Sequence, residues 1–296
     1  MAFGFTEPAT LEQVVKVLSA FDYDGIELGG FFDQATLERY PDKESRRKLV
    51  DLVRGEHGLE LVGYAPGPYG NFGEFPWATG GDEALAGYKQ LFDDSLRFCV
   101  DCEIPAMRID PGDFGPLARD ADYDRSWDRV VTTFREHAER GQEHGVLMLW
   151  EIETGQIFVK PSEIVKLLAD VGHPNLKVIY DVGHIQAAVV LAHNQVQPFE
   201  RLEGGQVEFV KMLGSNIGHV HLCDTDSNTW QNAFGTHLGI GKGVIDFEAL
   251  VPALADVYDG EWWSVDAIPM TTESWTDTWN DRFTLDDLLA RHVRNR

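Results

Sequence analysis

The stretch from Val146 to Asp224 limits the possible folds most. It holds three short apolar runs, VLMLWEIET, KVIYDVGH and IGHVHLCDTD. Each ends in carboxylates and histidines: Glu151 and Glu153, then Asp181 and His184, then His219, His221 and Asp224. Apolar runs of this length, rich in β-branched residues and bounded by Gly, Pro or Asp, read as buried parallel strands. Such strands are covered on both faces, so a charged group belongs only at an end. Three successive strands that deliver metal-type ligands at their C-terminal ends match the place where a (β/α)8 barrel keeps its active site.

The rest of the chain repeats the pattern. Strands are expected at Ala2–Thr6, Ile26–Leu28, Leu59–Tyr64, Ala106–Ile109 and Trp262–Asp266. Between them the 3.6-residue period predicts helices at Thr10–Ala20, Glu44–His57, Asp82–Asp101, Asp122–His144, Pro161–Val171 and Asp246–Tyr258, with a longer crossover region from Ile185 to Leu213. Thr10 reads as an N-cap with Gln13 as its capping-box partner, and Pro161 as a first helical residue. Strand–helix alternation with strands too buried for a one-sided sheet points to a closed barrel. We read one α/β domain, residues 1–296, with a C-terminal helical extension. Its 296 residues suit a barrel of about 250 with insertions. Neither GxGxxG nor GxxxxGK[ST] follows the first strand, so the nucleotide-binding folds lose their usual mark.

Two long loops follow strand ends. APGPYGNFGEFPWATGG carries Tyr69, Phe72, Phe75 and Trp77 just after Tyr64, and is expected to form a wall or lid of the site. The second, Thr225–Gly243, carries His237 and Lys242, which are candidates to close over a ligand.

Composition excludes several classes of function. A net charge of −24, spread along the chain, argues against nucleic acid or an anionic membrane as partner. Abundant Asp with Lys scarcer than Arg also suits a high-salt cytoplasm. No apolar run approaches the ~18 residues that span a bilayer. The N-terminus MAFGFTEPAT lacks a basic region and a long apolar one, so the expected location is cytoplasmic. Cys99, Cys102 and Cys223 do not make a disulfide framework, and Cys99 and Cys102 fall within a helical pattern as reduced thiols.

Glu151, Asp181, His221 and Asp266 end four consecutive expected strands. Neighbouring strands lie ~4.8 Å apart, so these four side chains can meet at one point. Three carboxylates with one imidazole form a hard, oxygen-rich set suited to Mn²⁺, Mg²⁺ or Co²⁺. Arg108 and Asp110 share one side of their strand by its period of two, and Glu153 shares the face of Glu151, with Arg108 or Lys160 as possible ion-pair partners. Trp150 lies between two inward positions and is expected to pack between barrel and helices.

These motifs, with DGIEL around Glu27, GIGKGVIDFEAL and GEWWSVD, resemble the xylose-isomerase-like barrel family of sugar-phosphate isomerases and epimerases over nearly the whole chain. The resemblance implies one divalent cation held by Glu151, Asp181, His221 and Asp266, with His184 donating to a sugar oxygen. It implies a sugar or keto-sugar substrate and enolisation chemistry, with Glu151 or Asp266 as general base. Substrate contacts are expected from His184, Glu153, Arg108 and His237. Homo-oligomers are common in the family, and Trp275, Trp279 and Phe283 are candidates for an interface or a pocket wall. Two departures stand out. Ketose epimerases of the family usually have Glu where Asp266 stands, and their substrate-contacting Arg is Ser227 here.

Those departures keep a second reading open: a metal-dependent lyase or dehydratase acting on a keto-sugar, keto-inositol or 3-keto-C-glycoside by β-elimination. An abasic-site endonuclease would need more histidines and a basic surface. A non-catalytic sugar-binding barrel is a further alternative.

Overall fold

The computed structural model describes residues 9–31, 34–67, 76–112, 121–230, 234–266 and 274–293. Seven strands pair in parallel and in chain order: β1 (Gly25–Gly29), β2 (Glu60–Ala65), β3 (Ala106–Ile109), β4 (Leu147–Glu151), β5 (Leu176–Asp181), β6 (Ile217–Leu222) and β9 (Trp263–Val265). A short hairpin, β7 (Thr229–Trp230) with β8 (Phe234–Gly235), stands apart from this sheet. Helix α1 (Leu11–Ala20) precedes β1, and α2 (Lys43–Val50), α3 (Asp82–Cys102), α4 (Ala121–His144) and α5 (Pro161–Val171) connect the strands from β1 to β5. After β5 come α6 (Val182–Ile185), α7 (Gly205–Leu213), α8 (Phe247–Ala255) and α9 (Ser274–His292). The curled parallel sheet with helices outside it is an α/β barrel. The expected strand at Ala2–Thr6 lies outside the described residues. No helix among the described residues is long and apolar enough to cross a membrane.

The period of two sorts each strand into an outer and an inner face. Met148, Trp150, Val178, Tyr180, Val220 and Leu222 face the helices and join one large core with Ile164, Leu167 and Phe209. Trp150 is fully buried there, and its indole N–H donates to Gln156 Oε1 at 2.9 Å. Ala106, Leu149 and Ile179 make a second, small cluster on the inner face. The same inner rows continue to Arg108, Glu151, Asp181, His219 and His221. The floor of the barrel is therefore apolar, and its upper end is charged.

Several local expectations hold. Thr10 and Gln13 form a reciprocal capping box at the start of α1, and Pro161 opens α5. Others need correcting. The helix expected over Glu44–His57 changes to a π-helical turn, Asp51–Glu56, after α2. The region Ile185–Leu213 is not one helix. α6 runs into a π-helical turn at Gln186–Val190, and regular structure resumes only at α7. Trp77, expected on the wall or lid loop, is instead buried in the core, as is Tyr64 before it. Tyr64 is buried against Phe98 and donates to Ala35 O at 3.1 Å, while Trp77 stacks on Tyr88 and donates to Asp110 O at 3.2 Å. Both tethers take the aromatic rings into the core. Tyr69, Phe72 and Phe75 lie outside the described residues.

Candidate active site

β4, β5, β6 and β9 bring Glu151, Asp181, His221 and Asp266 together. Ligand-type atoms of all four lie within 4.8 Å of one another, and all four residues are buried. His221 Nδ1 is 2.9 Å from Glu151 Oε1 and 3.7 Å from both Asp181 Oδ2 and Asp266 Oδ2. Asp181 Oδ2 and Asp266 Oδ1 have no hydrogen-bond partner. Buried carboxylate oxygens are seldom left unpaired, and here two belong to residues clustered with one imidazole and a third carboxylate. The donor set fits a hard divalent cation.

Electrostatics around the four are strong. Burial alone would raise the Glu151 carboxyl, but the Arg108 guanidinium and His221 outweigh it and hold it at about 2. Burial likewise opposes ionisation of Asp181, yet His237 and His184 keep its carboxyl well below the usual range. His221 is pushed up despite its burial, because Glu27, Asp181 and Glu151 surround it.

Arg108 sits beside the four and touches three carboxylates. Its Nε donates to Asp110 Oδ2 at 2.7 Å, Nη2 to Glu153 Oε1 at 2.8 Å, and Nη1 to Glu151 Oε2. One guanidinium cannot neutralise three buried anions. Burial raises Asp110 to about 6 and Glu153 to about 8, with Arg108 pulling both down and Glu151 pushing both up. Glu153 Oε2 has no partner. The Arg108–Glu153 alternative to Lys160 is the one the structure forms.

His184 and His237 complete the group. Asp181 caps the short helix α6 by accepting the His184 N–H at 2.7 Å. The Gly235 N–H, on the hairpin, donates to His184 Nδ1 at 3.0 Å. A neutral imidazole that accepts at Nδ1 carries its proton on Nε2, and burial keeps His184 neutral by lowering its pKa. His184 is therefore a fixed donor. Asp181, His184 and His237 converge within 4.8 Å, but this tautomer leaves His184 no lone pair for a second cation.

The His237 side chain is only 1% exposed. Its Nδ1 is 3.2 Å from Asp266 Oδ2 and its Nε2 is 3.5 Å from Asp181 Oδ1, and those two carboxylates push it up to about 9 against its burial. Gly183 makes this packing possible, since a Cβ there would lie 2.9 Å from His237 Cδ2 and 3.0 Å from Cys223 Sγ. The long second loop thus already delivers His237 to the site. Lys242 points the other way, half exposed and paired with Asp277 on α9. Asp224 locks the loop by accepting from the N–H groups of Thr225, Gly241 and Ile245.

The sequence did not single out Glu27 as part of the site. It projects inward from β1 and accepts from His221 Nε2 at 3.0 Å and from His219 Nε2 at 2.8 Å. A charge within the short apolar strand GIELG was the signal that could have found it.

A family model described as xylose isomerase-like TIM barrel matches residues 15–281. A comparison with curated protein sequences finds no match. Among solved structures, a D-tagatose 3-epimerase-like protein is 18% identical, with a TM-score of 0.71 over 100% of this chain and 99% of its own. The IOLI protein with a bound zinc atom is 16% identical, with a TM-score of 0.69 over 99% of this chain and 100% of its own. A 3-keto-D-glucoside 4-epimerase from E. coli is 14% identical, with a TM-score of 0.65 over 98% and 99%.

Proposed function

Since the chain belongs to the xylose isomerase-like TIM barrel family, we propose that it is a divalent-cation-dependent isomerase or epimerase of a sugar or keto-sugar. The observation that carries this reading is the buried convergence of Glu151, Asp181, Asp266 and His221 Nδ1, with two carboxylate oxygens left unpaired. The names of the similar structures, one a keto-glucoside epimerase, one epimerase-like and one a zinc-bound protein, support it.

Glu151, Asp181, His221 and Asp266 would hold the cation, with Mn²⁺ preferred and Mg²⁺ or Co²⁺ as alternatives. When bound, it supplies Lewis-acid stabilisation of the oxyanion that develops on enolisation. The chain's own residues do the rest. Glu151, held ionised by Arg108 and His221, accepts the proton from the carbon next to the substrate carbonyl. Asp266, just after β9, is the alternative base, reaching the substrate from the opposite face. His184 donates from Nε2 to a substrate oxygen. Arg108, Glu153 and His237 contact substrate hydroxyls; with its carboxyl pushed up to about 8 and Oε1 taken by Arg108, Glu153 offers the unpaired Oε2 as an O–H donor near neutral pH. The substrate is a small molecule.

The test begins with metal content. Mn²⁺-reconstituted wild type is expected to retain about one ion per chain, and Asp181→Ala to lose it. Equal content in the two removes the ligand assignment. Solvent-deuterium exchange into a panel of ketoses and keto-glycosides then reads the chemistry. Exchange with stereochemical inversion or carbonyl migration supports the reading. Release of a leaving group instead identifies the elimination alternative. No exchange on any sugar by the metal-loaded protein leaves a sugar-binding barrel.

A further inference from the structure

We infer that Glu27 is a positioning residue that fixes His221 with its Nδ1 lone pair turned toward the cation. The inference rests on the cation site proposed above.

Both nitrogens of His221 face carboxylates, but the two sides differ. Nδ1 looks into the cluster of Glu151, Asp181 and Asp266. Nε2 looks away from it, to Glu27 Oε2 at 3.0 Å. A carboxylate can only accept, so the Nε2 proton is held on that side. An imidazole with its proton fixed on Nε2 presents Nδ1 as its lone pair once the second proton leaves. Carboxylate–histidine–cation triads work this way elsewhere: the outer carboxylate sets the tautomer and ring orientation and raises ligand basicity.

Glu27 is itself immobilised. Oε1 accepts from His219 Nε2 at 2.8 Å and from the Ser264 hydroxyl, while Oε2 takes His221. Three donors on two oxygens leave the carboxylate little freedom to turn. This also argues against Glu27 as the proton-transferring base, since both of its oxygens already hold donors from the chain. The backbone makes room for it. Glu27 pairs with Gly63 across β1 and β2, next to a register shift at Ile26. A Cβ at position 63 would lie 3.3 Å from both Glu27 Cγ and Oε2. Strand β1 thus reaches across the barrel to a ligand on β6, and β9 contributes through Ser264.

The inference is tested on cation affinity, with no sugar present. Mn²⁺ binding is measured by titration for wild type, Glu27→Ala and Glu27→Gln, with thermal unfolding of the chelated proteins as the control for folding. Glu27→Ala is expected to weaken binding by about 10- to 100-fold. Glu27→Gln keeps an acceptor oxygen for His221 Nε2–H and is expected to recover most of that loss. A general loss of packing would not be rescued in this order. Affinity in Glu27→Ala equal to wild type overturns the inference alone, as does Glu27→Gln binding as weakly as Glu27→Ala. A wild type that binds no ion overturns the cation site itself. A second measurement needs no variant. Long-range ¹H–¹⁵N correlation spectra of the Zn²⁺-loaded wild type are expected to show His221 protonated at Nε2 and not at Nδ1. The opposite tautomer refutes the assignment even if Glu27→Ala fails to fold.

Discussion

Replacing Arg108 with Met keeps an unbranched stem and removes the charged guanidinium. The guanidinium now bridges Asp110, Glu151 and Glu153 inside the barrel. Taking one partner from a buried ion pair costs roughly 3–5 kcal/mol, because a charge is left uncompensated. Proton uptake limits this cost. Asp110 and Glu153 already sit at about 6 and about 8 with Arg108 in place, so both can be neutralised when the solution is acidic enough. Both folded values lie above the ordinary carboxylate range. The folded state therefore binds more protons, and these two groups stabilise it less as pH rises from about 4 toward 8. Losing Arg108 pushes both values further up and deepens that loss at the alkaline end.

The expected result for chelated protein is a penalty of about 3–5 kcal/mol at pH 8. It should shrink toward pH 5.5 by at most about 1.4 kcal/mol per pH unit for each group. Urea unfolding followed by tryptophan fluorescence at several pH values reads this directly. Adding Glu153→Gln to Arg108→Met is expected to recover part of the loss at pH 8, since one stranded anion is gone. A penalty below about 1 kcal/mol at pH 8, the scale of an exposed pair, would refute the reasoning. So would a penalty that grows on acidification.

Glu151→Gln is expected to keep the fold while deuterium exchange into a true substrate falls by at least about 100-fold; full exchange would remove Glu151 as the base. In Gly183→Ala the new methyl group collides with His237 and Cys223. The expected outcomes are a loss of about 1–3 kcal/mol from overpacking and a displaced His237, read by unfolding and by its imidazole NMR signals. His137, on α4, is buried against Phe92 with both ring nitrogens unpartnered. Burial, with Lys89 and Arg140 adding to it, lowers its pKa well below 6.5. The wild type should therefore lose stability as pH falls below about 6.5, by up to about 1.4 kcal/mol per unit. His137→Phe should remove that component, and parallel pH profiles for the two proteins would contradict it.

The sequence made the strand-borne part of the site legible. Short apolar runs fix which residues alternate inward, and a charge at the end of such a run has few places to go. That logic suffices for Glu151, Asp181, His221 and Asp266, which meet as expected, and for Arg108 beside Asp110. It falls short where position depends on contacts between loops. The hairpin of Thr229–Trp230 with Phe234–Gly235 is too short for any period to show. Its consequences, the tautomer of His184 and the seat of His237, depend on one backbone N–H and on the bare Cα of Gly183. Lys242 illustrates the converse. It shares the loop with His237, yet Asp277 on α9 draws it outward, and sequence order carries no trace of that helix packing there.

Glu27 shows a third limit. It lies 194 residues before His221, and nothing local distinguishes it from a strand carboxylate paired with any nearby base. Only barrel curvature brings β1 within reach of β6 and β9, where its two oxygens meet His219, His221 and Ser264. An open sheet with the same strand order would hold β1 far from β6, and Glu27 would face neither histidine. The hydrogen bonds across the barrel are thus a consequence of that curvature. The orientation of His221 that they impose ties a ligand of the proposed cation site to the geometry of the whole fold.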